Sequence, residues 1–123
     1  MAENAKKIVY VLTVRPDNPE KATLPFILAT AAQSVDVEAV ICLQGPAVYF
    51  AQKGFAQSVQ AMSLPKFKDL MDIFVENGGK IRVCVPCMQA RNITAADLAE
   101  GASTIAAVEV NDHCLSADAV LTY

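Results

Sequence analysis

Hydrophobic residues along this chain occur in short runs separated by polar turns, a pattern typical of strands in a parallel sheet. The three clearest runs cover residues 7–14, 38–43 and 80–85, and each contains both Ile and Val. Two shorter runs cover residues 104–108 and 119–123. The first run is apolar on both faces, so we expect helices to cover the sheet on both sides. The pattern predicts five strands.

A helix is predicted between the first two strands. Asn18 can cap it, Pro19 suits its first position, and it extends to about Ser34. The segment after Leu24 is almost wholly apolar, and Pro25 should bend the helix or restart it. A helix without a polar face is buried on more than one side, either under a neighbouring loop or against another subunit.

The other helices are shorter or more amphipathic. One opens at Ser63 and Pro65, closes at the glycines 78–79, and has an apolar stripe made of Phe67, Leu70, Met71 and Phe74. Thr94 and Asp97 resemble a capping box for a helix of about two turns. Further short helices are predicted at residues 48–53 and 111–117. Strands and helices that alternate in this way predict a three-layer α/β/α domain with a mostly parallel five-stranded sheet.

Composition limits the number of domains and indicates a subunit interface. The 123 residues fit one domain that is large enough to have a real hydrophobic core. Apolar residues make up 54% of the chain, more than a small soluble monomer needs, so part of the surplus is expected at a subunit interface. The net charge of −3, without a block of Lys or Arg, argues against an extended nucleic-acid footprint.

The N-terminal segment is a poor match to a signal peptide. Lys6 and Lys7 precede an apolar run of seven residues, but Arg15-Pro16-Asp17 follows where small cleavage-site residues would be needed. No apolar stretch reaches the roughly 18 residues that a membrane span requires. We therefore expect a cytoplasmic protein whose four cysteines are reduced.

The motif Cys84-Val85-Pro86-Cys87 carries the main candidate chemistry. It places two thiols one helical turn apart, where the third strand ends and a helix can begin. The thiolate is the form of cysteine that attacks sulfur, and a helix N-terminus stabilises it through free N–H groups. Reactive groups of open parallel sheets gather at the carboxyl ends of the strands, which is where Cys84 is predicted. Arg82 is expected on the same sheet face, where its charge would lower the pKa of Cys84.

Cys84 and Cys87 do not by themselves specify a reaction. The pair is a weak match to thioredoxin, because the chain has no Trp and the pair lies far from the first strands. A structural zinc site needs four ligands, and Cys42, His113 and Cys114 are scattered, so we expect no metal or other cofactor. Cys42 is expected in the core. His113 and Cys114 are poor evidence for a dyad, since helix neighbours point about 100° apart.

The motif Val83-Cys84-Val85-Pro86-Cys87, followed by Arg91, resembles the DsrE/DsrF-like (YchN-like) family. Segments at residues 17–26, 43–45, 76–80 and 117–123 are also similar to that family, so the likeness covers nearly the whole chain. The resemblance implies one DsrE-like domain over residues 1–123, with a parallel five-stranded sheet between helices. It also implies homotrimers or hexamers, or hetero-hexamers in the sulfur-relay members.

The resemblance further implies a function. In the relay branch, which includes the TusD and DsrE subunits, a cysteine at the position of Cys84 receives sulfur as a persulfide and passes it to a partner protein. Cys84 is thus the implied acceptor of a sulfurtransferase-like carrier, while Cys87, present in part of the family, is an auxiliary or resolving thiol. Two alternatives remain: a thiol–disulfide redox protein that uses both cysteines, and a non-enzymatic oligomeric binding or regulatory module whose cysteines are buried and incidental.

Overall fold

A computed structural model describes residues 5–123, in which five strands alternate with four α-helices. The strands are β1 (Lys7–Leu12), β2 (Glu38–Leu43), β3 (Lys80–Cys84), β4 (Ala102–Ile105) and β5 (Ala119–Thr122). The helices are α1 (Pro19–Ser34), α2 (Phe67–Glu76), α3 (Val85–Gln89) and α4 (Ala107–Leu115). Short 3-10 segments cover Gly45–Ala51, Ala56–Ser58 and Ala95–Asp97. No helix among these residues is long and apolar enough to cross a bilayer.

All neighbouring strands are parallel, in the order β4-β3-β2-β1-β5. In this register Leu43 lies opposite Val83, and Cys84 lies opposite Ile105. The carboxyl ends of parallel strands meet at one edge of the sheet, so Cys84 lies at that edge between the ends of β2 and β4. The predicted five-stranded parallel sheet is confirmed.

Two hydrophobic clusters cover opposite faces of the sheet. The main cluster joins α1, α2 and the Gly45–Ala51 segment to one face, and its centre is aromatic: the ring centroids of Phe26 and Phe67 are 4.8 Å apart. The second cluster joins α4 to the other face and contains Val9, Val40, Cys42, Ile105 and Val110. Helices therefore cover both faces, which confirms the three-layer α/β/α architecture.

Helix α1 begins and ends as the sequence predicts. The side chain of Asn18 accepts a hydrogen bond from the N–H of Lys21 at 3.2 Å, and Pro19 occupies the first turn. Of the two outcomes predicted at Pro25, a bend or a restart, the restart is wrong, because the helix continues through this residue to Ser34. Proline removes one backbone hydrogen bond from a helix, and packing of the apolar face supports the rest.

Three further helix boundaries differ from the sequence prediction. Helix α2 begins at Phe67 rather than near Ser63, because Ser63 has a φ of +66°, which no helix accepts. The predicted two-turn helix after Thr94 is a single 3-10 turn, because Leu98 leaves it in extended conformation and pairs with Gln52. The predicted helix at residues 48–53 is a 3-10 segment that begins earlier, at Gly45.

The C-terminal third is shifted relative to its prediction. Strand β4 ends at Ile105 instead of reaching residue 108, and α4 begins at Ala107 instead of near residue 111. The side chain of Glu109 accepts a hydrogen bond from the N–H of Ala106 at 3.0 Å, which caps the helix start. The β-branched Val108 gave the start of this helix the appearance of a strand.

Candidate functional site

Cys84 lies at the junction of β3 and α3, as predicted. It is the last residue of the strand and the N-cap of the helix, with a φ of −62° and a ψ of 120°. Pro86 follows in the first turn, where its missing N–H leaves no helix hydrogen bond unmade. The Cys84 side chain is half-buried and packs against the main cluster. Cys84 is therefore partly accessible at the carboxyl edge of the sheet.

Cys87 occupies the third position of α3, so its side chain and that of the N-cap Cys84 face the same side. Thr94 and Asp97 occupy the same two positions, N-cap and third residue, of another helical turn. Their side chains are in contact, because the Thr94 hydroxyl donates to the Asp97 carboxylate at 2.9 Å. Cys87 is also half-buried and packs against the main cluster, and both thiols are free. The structure thus brings the two predicted thiols together on the first turn of α3.

The pKa of Cys84 is higher than that of an ordinary cysteine. Burial is the largest cause, and a side-chain hydrogen bond with Cys87 adds to it. The backbone N–H of Cys87 and the charge of Arg91 act in the opposite direction and lower the pKa. Cys84 makes no side-chain capping hydrogen bond, so this N–H acts on the sulfur as a nearby dipole. At rest, burial outweighs the helix N-terminus, and the thiol form is favoured.

Arg82 does not have the role that the sequence predicts. Its Nη2 atom donates to the carbonyl oxygen of Thr104 at 2.8 Å and lies 3.9 Å from the carboxylate of Glu109, on the face covered by α4. Cys84 is the last residue of β3 and packs against the main cluster, and Arg82 is not among the groups that shift its pKa. The predicted lowering of the Cys84 pKa by Arg82 is therefore wrong.

Arg91 supplies the positive charge that the strand pattern predicted for Arg82. Its Nη1 atom donates to the carbonyl oxygen of Cys87 at 3.0 Å, and its Cζ atom lies 5.9 Å from the ring centroid of Tyr49. Arg91 lies just past the end of α3, where basic side chains often bind the last carbonyl groups of a helix. The contact with Tyr49 has no such signal, because Tyr49 precedes α3 by two secondary-structure elements.

The sequence profile of the DsrE/DsrF-like family matches residues 6–123. This chain belongs to the DsrE/DsrF-like family. Its similarity to an uncharacterised protein of Methanocaldococcus jannaschii, MJ0989, is 28% identity over 119 residues, which covers 95% of this chain and 99% of that protein. The similarity extends over nearly the whole length of both proteins.

Solved structures share the fold of this DsrE/DsrF-like protein. The crystal structure of the E. coli YchN protein aligns with a TM-score of 0.81 and 24% identity, over 96% of this chain and 99% of that one. A protein of unknown function from Bacteroides thetaiotaomicron, BT1422, aligns with a TM-score of 0.67 and 15% identity, over 96% and 95% of the two chains. At these identities the comparisons show the fold.

The other two cysteines of this DsrE/DsrF-like protein lie in the second cluster, away from Cys84. Cys42 is fully buried, as predicted, and burial raises its pKa to about 11. Cys114 is half-buried against the same cluster. His113 makes a hydrogen bond with the ammonium group of Lys7. Within residues 5–123, no group of three His, Cys, Asp or Glu side chains is arranged to hold a metal ion.

Proposed function

We propose that this DsrE/DsrF-like protein is a sulfur carrier of the sulfurtransferase type, which accepts sulfur on Cys84 as a persulfide and relays it to a partner protein. The observation that carries the proposal is the position of Cys84. This partly accessible thiol lies at the carboxyl edge of a parallel sheet and at a helix N-terminus. Parallel sheets bind ligands at this edge, and helix N-terminal N–H groups stabilise anionic sulfur.

The proposed loading step is a thiol exchange that needs no oxidant. The Cys84 thiolate attacks the outer sulfur of a donor persulfide, R–S–SH, and the bond between the donor's two sulfurs breaks. The products are Cys84–S–SH and the donor thiolate, R–S⁻. In the relay step an acceptor thiolate attacks the outer sulfur in the same way, which regenerates the Cys84 thiolate. The raised pKa of Cys84 keeps the unloaded site in the thiol form.

Mass spectrometry of the intact protein tests this proposal. After incubation of the reduced protein with a low-molecular-weight persulfide, we expect a species heavier by about 32 Da, the mass of one sulfur atom. Cys84→Ser should abolish this species, whereas Cys42→Ser is the matched control and should retain it, since Cys42 is fully buried. A wild-type protein that never gains sulfur, or a Cys84→Ser variant that gains as much, would refute the carrier function.

A second candidate function is thiol–disulfide exchange, and the placement of Cys87 on the same side of α3 as Cys84 favours it. The same pair offers the persulfide a second fate. The Cys87 thiolate attacks the inner sulfur of Cys84–S–SH, sulfide leaves, and a Cys84–Cys87 disulfide remains, which a dithiol must then reduce. In a dithiol redox buffer, a reversible loss of about 2 Da that requires both cysteines would support the redox function. If no disulfide forms, this candidate is excluded.

The proposal includes a homo-oligomer, a trimer or hexamer, together with a sulfur donor and an acceptor protein. Strand β5 is an edge strand whose four residues are all exposed, including Val120 and Leu121. Exposed apolar edge strands are normally covered, because their free N–H and C=O groups pair with other chains. On α4, Val108 and Leu115 are also exposed. These features support an interface that involves β5 and α4.

The same proposal includes a cytoplasmic location, supported by four cysteines that are all free. The remaining alternative, a binding or regulatory module with incidental cysteines, predicts thiols that do not react with alkylating reagents in the native protein. Half-burial of Cys84 and Cys87 argues against it. Native alkylation with iodoacetamide, followed by peptide mass spectrometry, separates these cases. Modification of Cys84 supports the carrier, and complete protection supports the module.

A further inference from the structure

Arg91 is held next to the backbone of Cys87 by contacts with two different elements. Its Nη1 atom donates to the carbonyl oxygen of Cys87 at 3.0 Å, and its guanidinium carbon lies 5.9 Å from the ring centroid of Tyr49, in the Gly45–Ala51 segment. Arginine binds anions well because its planar group carries five N–H donors and always stays charged. The side chain is half-buried, so the donors not used by Cys87 are partly accessible.

Two other arginines near this edge of the sheet are engaged elsewhere. Arg82 donates to Thr104 on the face covered by α4. Arg15 follows β1, which β2 separates from β3, and its Nε atom lies 4.0 Å from the carboxylate of Asp17. Within residues 5–123, no carboxylate lies within 4.0 Å of the Arg91 guanidinium. The charge of Arg91 is therefore available to an anion at the thiols.

We propose that Arg91, held between the Tyr49 ring and the Cys87 carbonyl, is the anion-binding residue of this site. It makes Cys84 selective for anionic sulfur donors, namely persulfide and polysulfide anions, over neutral donors. The substrate class rests on the proposed sulfur-carrier function, whereas the anion preference of Cys84 can be measured without it. The charge of Arg91 also lowers the pKa of Cys84, although burial outweighs this effect.

The test compares two alkylating reagents of similar size, anionic iodoacetate and neutral iodoacetamide. Both react with the thiolate, so a change in the pKa of Cys84 alters both rates alike and cancels in their ratio. The rates are read at Cys84 by peptide mass spectrometry of the full-length protein. Arg91→Gln should lower the iodoacetate-to-iodoacetamide ratio about two- to tenfold, the effect of one charge at intermediate dielectric. Arg91→Lys should retain part of the preference for iodoacetate.

Controls separate the charge from the fold. Arg15→Gln removes an exposed charge of the same kind and should leave the ratio unchanged. Tyr49→Leu removes one support of Arg91 without a change in charge and should lower the ratio partly, whereas Tyr49→Phe keeps the aromatic face and should not. Thermal unfolding monitored by circular dichroism identifies any misfolded variant. If Arg91→Gln does not fold, the comparison of Tyr49→Leu with Tyr49→Phe tests the inference instead.

An unchanged ratio in folded Arg91→Gln, or equal ratios in Tyr49→Leu and Tyr49→Phe, would overturn the inference.

A last experiment measures the specificity of Cys84 for sulfur donors. Inorganic polysulfide should modify Cys84 of Arg91→Gln more slowly than the wild type, while a neutral dialkyl trisulfide should be affected less. Failure of the anion preference leaves the gain of about 32 Da at Cys84 intact. Failure of the carrier function abolishes that gain but leaves the reagent ratio unaffected.

Discussion

The ammonium group of Lys7 donates a hydrogen bond to Nδ1 of His113 at 3.1 Å, which connects the first residue of β1 to α4. The same ammonium group donates to the hydroxyl of Ser116 at 2.7 Å. The bond requires an unprotonated Nδ1, so the imidazole is neutral and carries its proton on Nε2. Burial, followed by the charges of Lys7, Arg82 and Lys80, lowers the pKa of His113, while Glu38 opposes this effect.

This arrangement predicts a loss of stability in mild acid. The pKa of His113 is lower in the folded than in the unfolded protein, so the unfolded state binds more protons between the two values. The contribution of neutral His113 to the free energy of unfolding is complete above about pH 6.5, and it declines as the pH falls toward the pKa of His113 in the folded protein. Denaturant unfolding at pH 7.5 and 5.5 should show a larger loss for the wild type than for His113→Asn. Equal losses would contradict the assignment.

The Lys7 charge can be tested at the same histidine. Lys7→Met removes a cation that disfavours the imidazolium, so the pKa of His113 should rise. The chain contains one histidine, so its ring signals in a proton NMR titration need no further assignment. Lys53→Met is the control, since Lys53 is not among the charges that shift His113. A pKa of His113 that is the same in Lys7→Met and the wild type would contradict the prediction.

Removal of the Cys87 thiol should lower the pKa of Cys84. The Cys87 side chain raises that pKa through a hydrogen bond and through its charge when ionised, whereas its backbone N–H lowers it. Cys87→Ala deletes the first two effects and keeps the third. The measurement is the pH dependence of iodoacetamide alkylation at Cys84, with Cys114→Ala as the control. A pKa that stays constant or rises in Cys87→Ala would show that the thiols do not interact.

Gly79 is required by the ring of Phe74. A Cβ atom at position 79 would lie 2.5 Å from the ring of Phe74, which is fully buried in the main cluster. Gly79→Ala should therefore destabilise the protein by about 1–3 kcal/mol, the usual penalty for overpacking a core. In a Phe74→Leu background the same substitution should cost less, because the ring edge is gone. Urea unfolding of the wild type, the two single variants and the double variant measures this coupling. Strictly additive changes in the free energy of unfolding would exclude the clash.

The proposed interface predicts that charges on α4 or β5 reduce the size of the assembly. Leu115 is 84% exposed and Leu121 is 39% exposed, and a buried glutamate at either position would be costly. Light scattering after size-exclusion chromatography should give three or six times 13.1 kDa for the wild type and smaller particles for Leu115→Glu and Leu121→Glu. Met62→Glu, at a residue that is 91% exposed outside these elements, is the control and should not change the mass. A wild-type mass of one chain would refute the interface.

Local signals were sufficient for most elements and for the placement of Cys84. Strands β2 and β3 follow from runs of apolar residues, and Pro86 suits the first turn of a helix. The N-cap of α1 follows from Asn18 and Pro19, which act on adjacent residues. The predicted strand at residues 104–108 was placed too late because β-branched residues at a helix start resemble a strand.

The sequence by itself determined the alternation of strands and helices, the family likeness and the pair of thiols at a strand end, because these depend on neighbouring residues. Only the tertiary structure decided which charge lowers the pKa of Cys84. Arg82 is drawn to Thr104 and Glu109 by the packing of β4 and α4, and Arg91 is held by Tyr49 from another part of the chain. Side-chain electrostatics depends on distances in space, which local sequence patterns do not contain.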